Sequence, residues 1–250
     1  MILYYSGCGN SQFVAEQLAE KTGEKLVKMH LKETASYTLR AGETVGIVCP
    51  IYSWAVPRVV EAYLRRMHVE GRPGYCYLAC TYGDSLGKAP ERFAKTLKQI
   101  GWTLDASYGF VMPETYVNLK AFKLDSAEGA SRKIDAVRER LPKVAAQIAR
   151  KEKVTDVVRG KVPWLNTYVT NALFYALLIT DRKFKVGESC VGCGECADHC
   201  PMGNITMENG KPRWHGDCTN CMSCYHRCPQ NAIQFGSATE GKGQYRFGKL

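Results

Sequence analysis

The sequence predicts an α/β protein built on a parallel sheet, with a second, smaller cysteine-rich domain at its C-terminus. Three observations carry this expectation. From the N-terminus, short apolar runs alternate with longer amphipathic ones, the pattern of strands separated by helices. Eight of the twelve cysteines fall between Cys190 and Cys228. A length of 250 residues exceeds what one ordinary domain needs and falls short of two large ones. With 45% hydrophobic and 23% charged residues the chain can bury a core, which excludes a disordered or collagenous polypeptide.

In order, residues 2–5 read as a first strand and residues 11–21 as a helix, with Phe13, Val14, Gln17 and Leu18 at helical spacing and Gly23 as its stop. A strand at 25–29 follows. Residues 44–49 form an uninterrupted apolar run ending at Pro50, and Pro57 opens a helix extending to about residue 69. A strand at 75–80, a helix at 89–100 and a strand at 107–112 continue the alternation. Between 126 and 153, Ala130, Ile134, Val137, Leu141, Val144 and Ile148 mark an amphipathic helix that Pro142 should kink or divide. Residues 164–180 form an uncharged helical stretch flanked by Lys161 and by Arg182, Lys183 and Lys185. It is shorter than the roughly 20 apolar residues of a membrane span and is interrupted by Asn166, Thr167, Thr170 and Asn171, so no transmembrane span is expected. Packing between domains is its leading role, with a partner groove and interfacial membrane contact as alternatives. The expected divisions are 1–155 for the α/β domain, 156–185 for a helical connector, 186–236 for the cysteine domain and 237–250 for a polar basic tail.

The cysteine segment repeats with a period of 28 residues. Cys190, Cys193, Cys196, Cys200, Pro201 and Ile205 recur as Cys218, Cys221, Cys224, Cys228, Pro229 and Ile233. Each half spells C-x2-C-x2-C-x3-C-P, the spacing that wraps three thiolates around one iron-sulfur cubane and carries the fourth to its neighbour. Cys190, Cys193, Cys196 and Cys228 should then ligate one [4Fe-4S] cluster, and Cys218, Cys221, Cys224 and Cys200 the other. A pair of zinc sites is the alternative, but a zinc ribbon has no use for the third cysteine or for the x3-C-P ending. His199 and His226 each precede a fourth cysteine and read as surface residues of the cysteine turn rather than tuning groups. The segment resembles two-cluster ferredoxins over residues 190–235.

After the first strand, Ser6, Gly7, Cys8, Gly9, Asn10 and Ser11 lead directly into a helix. Backbone N–H groups of such a loop, with the helix N-terminus, make a phosphate cradle, and the two glycines let the backbone approach an anion. The dinucleotide fingerprint fails because its third glycine position is Gln12, so a mononucleotide suits the loop better. Two later strand-end loops carry Tyr52, Ser53, Trp54 and Ala55, and Thr81, Tyr82, Gly83 and Asp84, where ligands bind in open α/β sheets. Their aromatics could stack on a flat ring, with Gly83 presenting its backbone to the ring edge.

Together these loops resemble the phosphate loop and the flavin-ring loops of flavodoxins. The whole chain resembles the fused flavodoxin/ferredoxin proteins of anaerobic bacteria and archaea. That resemblance implies FMN and a doubly wound, five-stranded flavodoxin-like parallel sheet. Cys8 departs from the threonine usual in flavodoxins and reads as a tolerated substitution rather than a redox-active thiol, although a helix N-terminus can lower a thiol pKa. Cys49, Cys76 and Cys80 lie on strand patterns and read as inert core residues.

A formal charge of +10 raises nucleic acid as a partner, but the charge is uneven: +2 over residues 1–119, +8 over 120–185 and zero over 186–250. The excess belongs to the connector region, and no nucleic-acid partner is expected. Two clusters of about −2 each would make the cysteine domain acidic, so the +8 segment should dock against it or guide an acidic redox partner. Met1 is followed at once by Ile-Leu-Tyr-Tyr, without a basic n-region or a long apolar stretch, and a reducing cytoplasm is therefore expected. The function expected is electron transfer between FMN, two [4Fe-4S] clusters and redox protein partners in anaerobic metabolism. The alternative is a flavin-dependent reductase of a small oxidised substrate, with the basic segment suited to an anionic one. No set of protein side chains argues for a catalytic residue.

Overall fold

The longest charge-free apolar runs of the first half become the centre of a parallel sheet, where both faces are covered. In the computed structural model, which describes residues 1–248, the first half runs β1 (Ile2–Tyr4), α1 (Asn10–Thr22), β2 (Leu26–Lys28), β3 (Ser36–Thr38), β4 (Thr44–Pro50), α2 (Arg58–Arg66), β5 (His68–Glu70), β6 (Tyr75–Tyr82), α3 (Ala89–Gln99), β7 (Ala106–Val111), α4 (Ala127–Ala149) and β8 (Thr155–Asp156). The main sheet has the order β2-β1-β4-β6-β7-β8, and every pairing is parallel. Every residue of β6 is buried.

Alternation along the strands sends side chains to two apolar clusters, one on each face. Leu3, Ile47 and Leu78 pack with Val60, Tyr63, Phe93 and Leu97 of α2 and α3. Ile2, Val48 and Ala79 pack with Val14, Leu18, Val137 and Leu141 of α1 and α4. The direction of winding reverses at β1, so the crevice beyond the carboxyl ends of β1 and β4 is where a doubly wound sheet places its ligand. This mostly parallel arrangement is consistent with a flavodoxin-like fold.

Several expectations are corrected. The sheet carries a sixth strand, the two-residue β8, beside the five expected. The helix opened by Pro57 ends at Arg66, and residues 68–70 form a small parallel pair with β3. Pro142 does not divide α4, because Leu141 faces the core while Pro142 faces solvent, where the carbonyl it leaves unpaired meets water.

The second half begins with α5 (Pro163–Leu165), a π-helical turn (Asn166–Thr170) and α6 (Asn171–Leu177), one continuous helical stretch that ends at Leu177 rather than at the expected residue 180. Then come β9 (Phe184–Val186), α7 (Glu195–Asp198), β10 (Ile205–Glu208), β11 (Lys211–Trp214), α8 (Ser223–Arg227) and β12 (Ile233–Phe235). β9 pairs antiparallel with β12 and β10 with β11. A small apolar cluster of Phe184, Ile205, Tyr225, Ile233 and Phe235 fills the space between them, and its buried members include Cys196, Cys224 and Cys228.

Candidate functional site

The eight repeat cysteines gather into two groups of four. Cys190, Cys193, Cys196 and Cys228 line one cavity, with Ile233 and Pro229 beside them. Cys200, Cys218, Cys221 and Cys224 line a second, with Ile205 and Pro201. Each group therefore takes three cysteines from one half of the repeat and one from the other. All eight are free thiols. Among the described residues no three His, Cys, Asp or Glu side chains converge on a single-ion site; the thiols surround voids, as the corners of a cubane require.

Burial makes these thiols reluctant to ionise without iron. It pushes Cys196 and Cys221 up to about 11 and Cys218 up to about 12. Backbone N–H groups already point at the sulfurs. Asn204 donates to Cys200 Sγ at 3.3 Å and Ala232 to Cys228 Sγ at 3.2 Å, equivalent positions in the repeat, and Asn220 donates to Cys218 Sγ at 3.3 Å. Such donors favour negative charge on a cluster.

A much larger cavity of about 490 Å³ lies at the carboxyl ends of β1, β4, β6 and β7. Ser6, Gly7, Cys8, Asn10, Ser11, Tyr52, Ser53, Trp54, Thr81, Tyr82, Gly83 and Asp84 all line it. Gly9 and Ala55 lie behind this lining. α1 starts without a side-chain cap and without an acidic residue in its first turn, which leaves its N-terminus free to face an anion. The Tyr116 hydroxyl, on the loop after β7, lines the cavity and is buried without a hydrogen-bond partner. A cavity of this size, apolar with a few convergent polar groups and an orphaned hydroxyl, fits a flat aromatic cofactor bearing a phosphate. Asp84 and Glu114 line it, and no Lys or Arg is among its lining residues.

The Tyr52–Trp54 loop is held in an unusual conformation. Ser53 and Trp54 have φ values of 45° and 61°, a left-handed pair that costs energy in non-glycine residues. Buried side chains of the connector hold it there. Asn171 Nδ2 donates to the carbonyls of Tyr52 and Ser53, both at 2.9 Å, and Thr167 Oγ1 donates to the Trp54 carbonyl at 2.9 Å. Arg92 donates to Asn171 Oδ1 at 2.6 Å. Sequence reading missed this clamp, although Thr167 and Asn171 stand out as polar interruptions of an apolar run.

The cysteine domain closes one side of the cavity. Cys221, a member of the second cysteine group, also lines the large cavity together with Asn220. Cys8 Sγ donates to the Cys221 carbonyl at 3.4 Å, and burial pushes the Cys8 thiol well above its ordinary range, the opposite of activation at a helix N-terminus. The hydroxyls of Tyr5 and Tyr52 meet at 3.0 Å, and a hydrogen bond with Tyr5 favours the Cys221 thiolate. The two loop glycines also acquire a different reason. A Cβ on Gly7 would lie 3.0 Å from the Cβ of Cys221, and one on Gly9, whose φ is 104°, would lie 2.7 Å from that of Phe247. Close approach of the C-terminal half thus requires both.

His226 is buried rather than at the surface, because the loop after β7 and the C-terminal tail close over it. Its Nε2 lies 2.9 Å from the Thr115 carbonyl, and its Nδ1 accepts from the Tyr245 N–H at 3.2 Å. Burial pushes it down to about 4, keeping the imidazole neutral. His199 is exposed beside Glu195, as expected of a surface residue. The tail, silent in the sequence, straps the halves together: Tyr245 Oη donates to Asn10 Oδ1 at 2.7 Å and Phe247 stacks on Phe13. The cations of 120–185 make their ion pairs with carboxylates of their own half; among the described residues, Lys32–Asp217 is the ion pair that crosses to the cysteine domain.

Comparison with known proteins bears on the cysteine half. A family model described as a 4Fe-4S dicluster domain matches residues 188–233. An uncharacterized ferredoxin of Methanocaldococcus jannaschii is 44% identical over 61 residues, a match covering 22% of this chain and 73% of that protein. The pyruvate synthase subunit PorD of the same organism is 41% identical over 56 residues, covering 22% of this chain and 65% of PorD, just under two thirds of its length. Among solved structures, the Trp repressor binding protein from Bacillus subtilis aligns with 57% of this chain and 96% of its own at 11% identity, with a TM-score of 0.35 that bears on neither fold nor function. No helix among the described residues is long and apolar enough to cross a membrane.

Proposed function

The chain belongs, through residues 188–233, to the 4Fe-4S dicluster ferredoxins, and from that premise we propose that it is an electron-transfer iron-sulfur flavoprotein of the fused flavodoxin/ferredoxin type. In this reading it passes electrons between two [4Fe-4S] clusters, an FMN and a redox partner. The observation that carries the reading is the double position of Cys221, in the wall of a cysteine cage and in the wall of the strand-end cavity. A flavin ring reaching that wall would sit against a cluster ligand.

FMN exchanges one or two electrons and each cubane exchanges one, so together they would pool or split electron pairs. The chain's own residues set the terms. The uncapped N-terminus of α1, with Ser6 and Ser11, would hold the phosphate, while Tyr52, Trp54 and Tyr82 would flank the ring. Cys190, Cys193, Cys196 and Cys228 would hold one cluster, and Cys200, Cys218, Cys221 and Cys224 the other. The N–H groups of Asn204, Asn220 and Ala232 would stabilise the added charge on reduction. A relative named as a subunit of pyruvate synthase supports a redox enzyme as partner, and a reducing cytoplasm would keep the eight thiols available to bind iron.

Anaerobic purification followed by assay of iron, acid-labile sulfide and released flavin tests this. About eight iron, eight sulfide and one FMN per chain are expected. Full cluster loading with no flavin, even after FMN is added, would leave a ferredoxin joined to an α/β domain that binds something else.

A further inference from the structure

The helical stretch 163–177 has its polarity inverted for a helix lying on a protein surface. Thr167 and Asn171, polar residues, are fully buried and hold the Tyr52–Trp54 loop. The side chains facing outward are Val162, Trp164, Leu165, Val169, Leu173 and Leu177, which are 39% to 70% exposed. Leu165, Val169, Leu173 and Leu177 follow one another at four-residue intervals, so the stripe runs down one side of the helix. Phe122, 41% exposed, joins it through edge contacts that run from Tyr116 to Phe174. A continuous apolar face of this kind marks a binding surface.

Charge and polarity say what covers it. Residues 157–180 and 115–124 contain no Asp or Glu. Lys120, Lys123, Lys161 and Arg182 are exposed at the rim and make no ion pair among the described residues. Between 162 and 177 every exposed residue is apolar, and the polar side chains of Asn166, Tyr168 and Thr170 are half-buried between them. The face's outermost side chains are apolar, with half-buried hydroxyl and amide groups beneath and cations at the rim, the layering of an element lying in a lipid headgroup layer. A second copy of the chain would bring two cationic rims together across a two-fold axis.

We propose that this face docks the protein on an anionic lipid bilayer, the stripe lying flat in the headgroup layer and the rim cations on lipid phosphates. The inference rests on exposure and charge, and Val162, Trp164, Leu165 and Val169 lie outside the lining of the large cavity, so this part of the face stands apart from the flavin reading. Phe122, Leu173 and Leu177 also line the large cavity, so docking turns the cavity's mouth toward the lipid.

Flotation of the cluster-loaded full chain with vesicles tests it. The protein should float with vesicles containing phosphatidylglycerol, remain behind with pure phosphatidylcholine, and be released by salt. Trp164 emission should shift to the blue on binding, and Trp164→Phe should remove the shift. The double variant Leu165→Glu/Val169→Glu, outside the cavity lining, should weaken binding about tenfold or more with unchanged iron content and circular dichroism. Lys120→Glu/Lys123→Glu, on an exposed loop, should lose binding to the anionic vesicles and keeps the test decisive if the helix variant misfolds. No flotation, equal flotation with both lipids, or a solution dimer that Leu165→Glu/Val169→Glu splits would overturn the proposal.

Discussion

The α/β half and the cysteine half are stabilised by different physics. In the sheet, the residues that form the core and the residues that form the site are largely separate: Ile47, Leu78 and Phe93 are fully buried away from the cavity, and only strand-end residues such as Tyr82 and Met112 belong to both. In the cysteine half the two sets overlap. Its strands are three or four residues long, and Cys196, Cys224 and Cys228 are themselves members of its apolar cluster. A scaffold of the first kind survives loss of its ligand, and a domain of the second kind does not.

Iron removal should therefore give the largest effect. Anaerobic chelation is expected to abolish amide protection across residues 186–236 while β4 and β6 keep theirs, read by hydrogen exchange. Protection lost everywhere at once would break the comparison and make the chain one cooperative unit. The reciprocal perturbation is Phe93→Ala, which opens a cavity between α3 and the sheet. It should cost the α/β half about 3 to 5 kcal/mol by urea unfolding, with cluster absorbance in native buffer unchanged.

The same contrast governs how much the sequence discloses. Three cysteines of each group lie within a few residues of one another and the fourth comes from the other half of the repeat, so the 28-residue period yields both groups of four before any fold is known. The parallel sheet is legible because buried strands are apolar throughout, and Thr44–Pro50 and Tyr75–Tyr82 declare themselves. What stays hidden depends on contacts between distant segments. Ser36–Thr38 and His68–Glu70 lack strand periodicity and pair only because the chain brings them side by side. Gly7 and Gly9 read as room for an anion, yet the bodies nearest them are Cys221 and Phe247, more than 200 residues away in sequence. His226 reads as a surface residue because nothing local shows that Thr115 and Tyr245 close over it.

The connector lies between the two kinds of region, and Asn171 sharpens where it belongs. Its amide makes three hydrogen bonds in a fully buried position. Asn171→Ala leaves two loop carbonyls and Arg92 without that partner, a loss of about 2 to 3 kcal/mol. The strained Ser53–Trp54 pair should then relax, and added FMN should bind about tenfold more weakly by fluorescence titration while iron content holds. Unchanged flavin affinity would mean that the clamp supports the fold alone.

The smallest effect expected separates the halves by pH. The Glu24 carboxyl is pushed up to about 7 because burial disfavours its charge, and its Oε2 lies 3.5 Å from the Tyr77 hydroxyl. In the unfolded chain the same group ionises near its ordinary value of about 4.5, so between that pH and about 7 the folded state holds the extra proton. Stability of the α/β half should then fall as pH rises through this window, because ionisation favours the unfolded chain. Glu24→Gln removes the titration and should raise stability at about pH 8 by about 1 to 2 kcal/mol, with a much smaller gain at about pH 5. Hydrogen exchange resolved by region should confine that gain to the sheet and leave the openings of residues 186–236 unchanged. A gain spread equally over both halves would show that the tail and the buried His226 couple them more tightly than their separate cores imply.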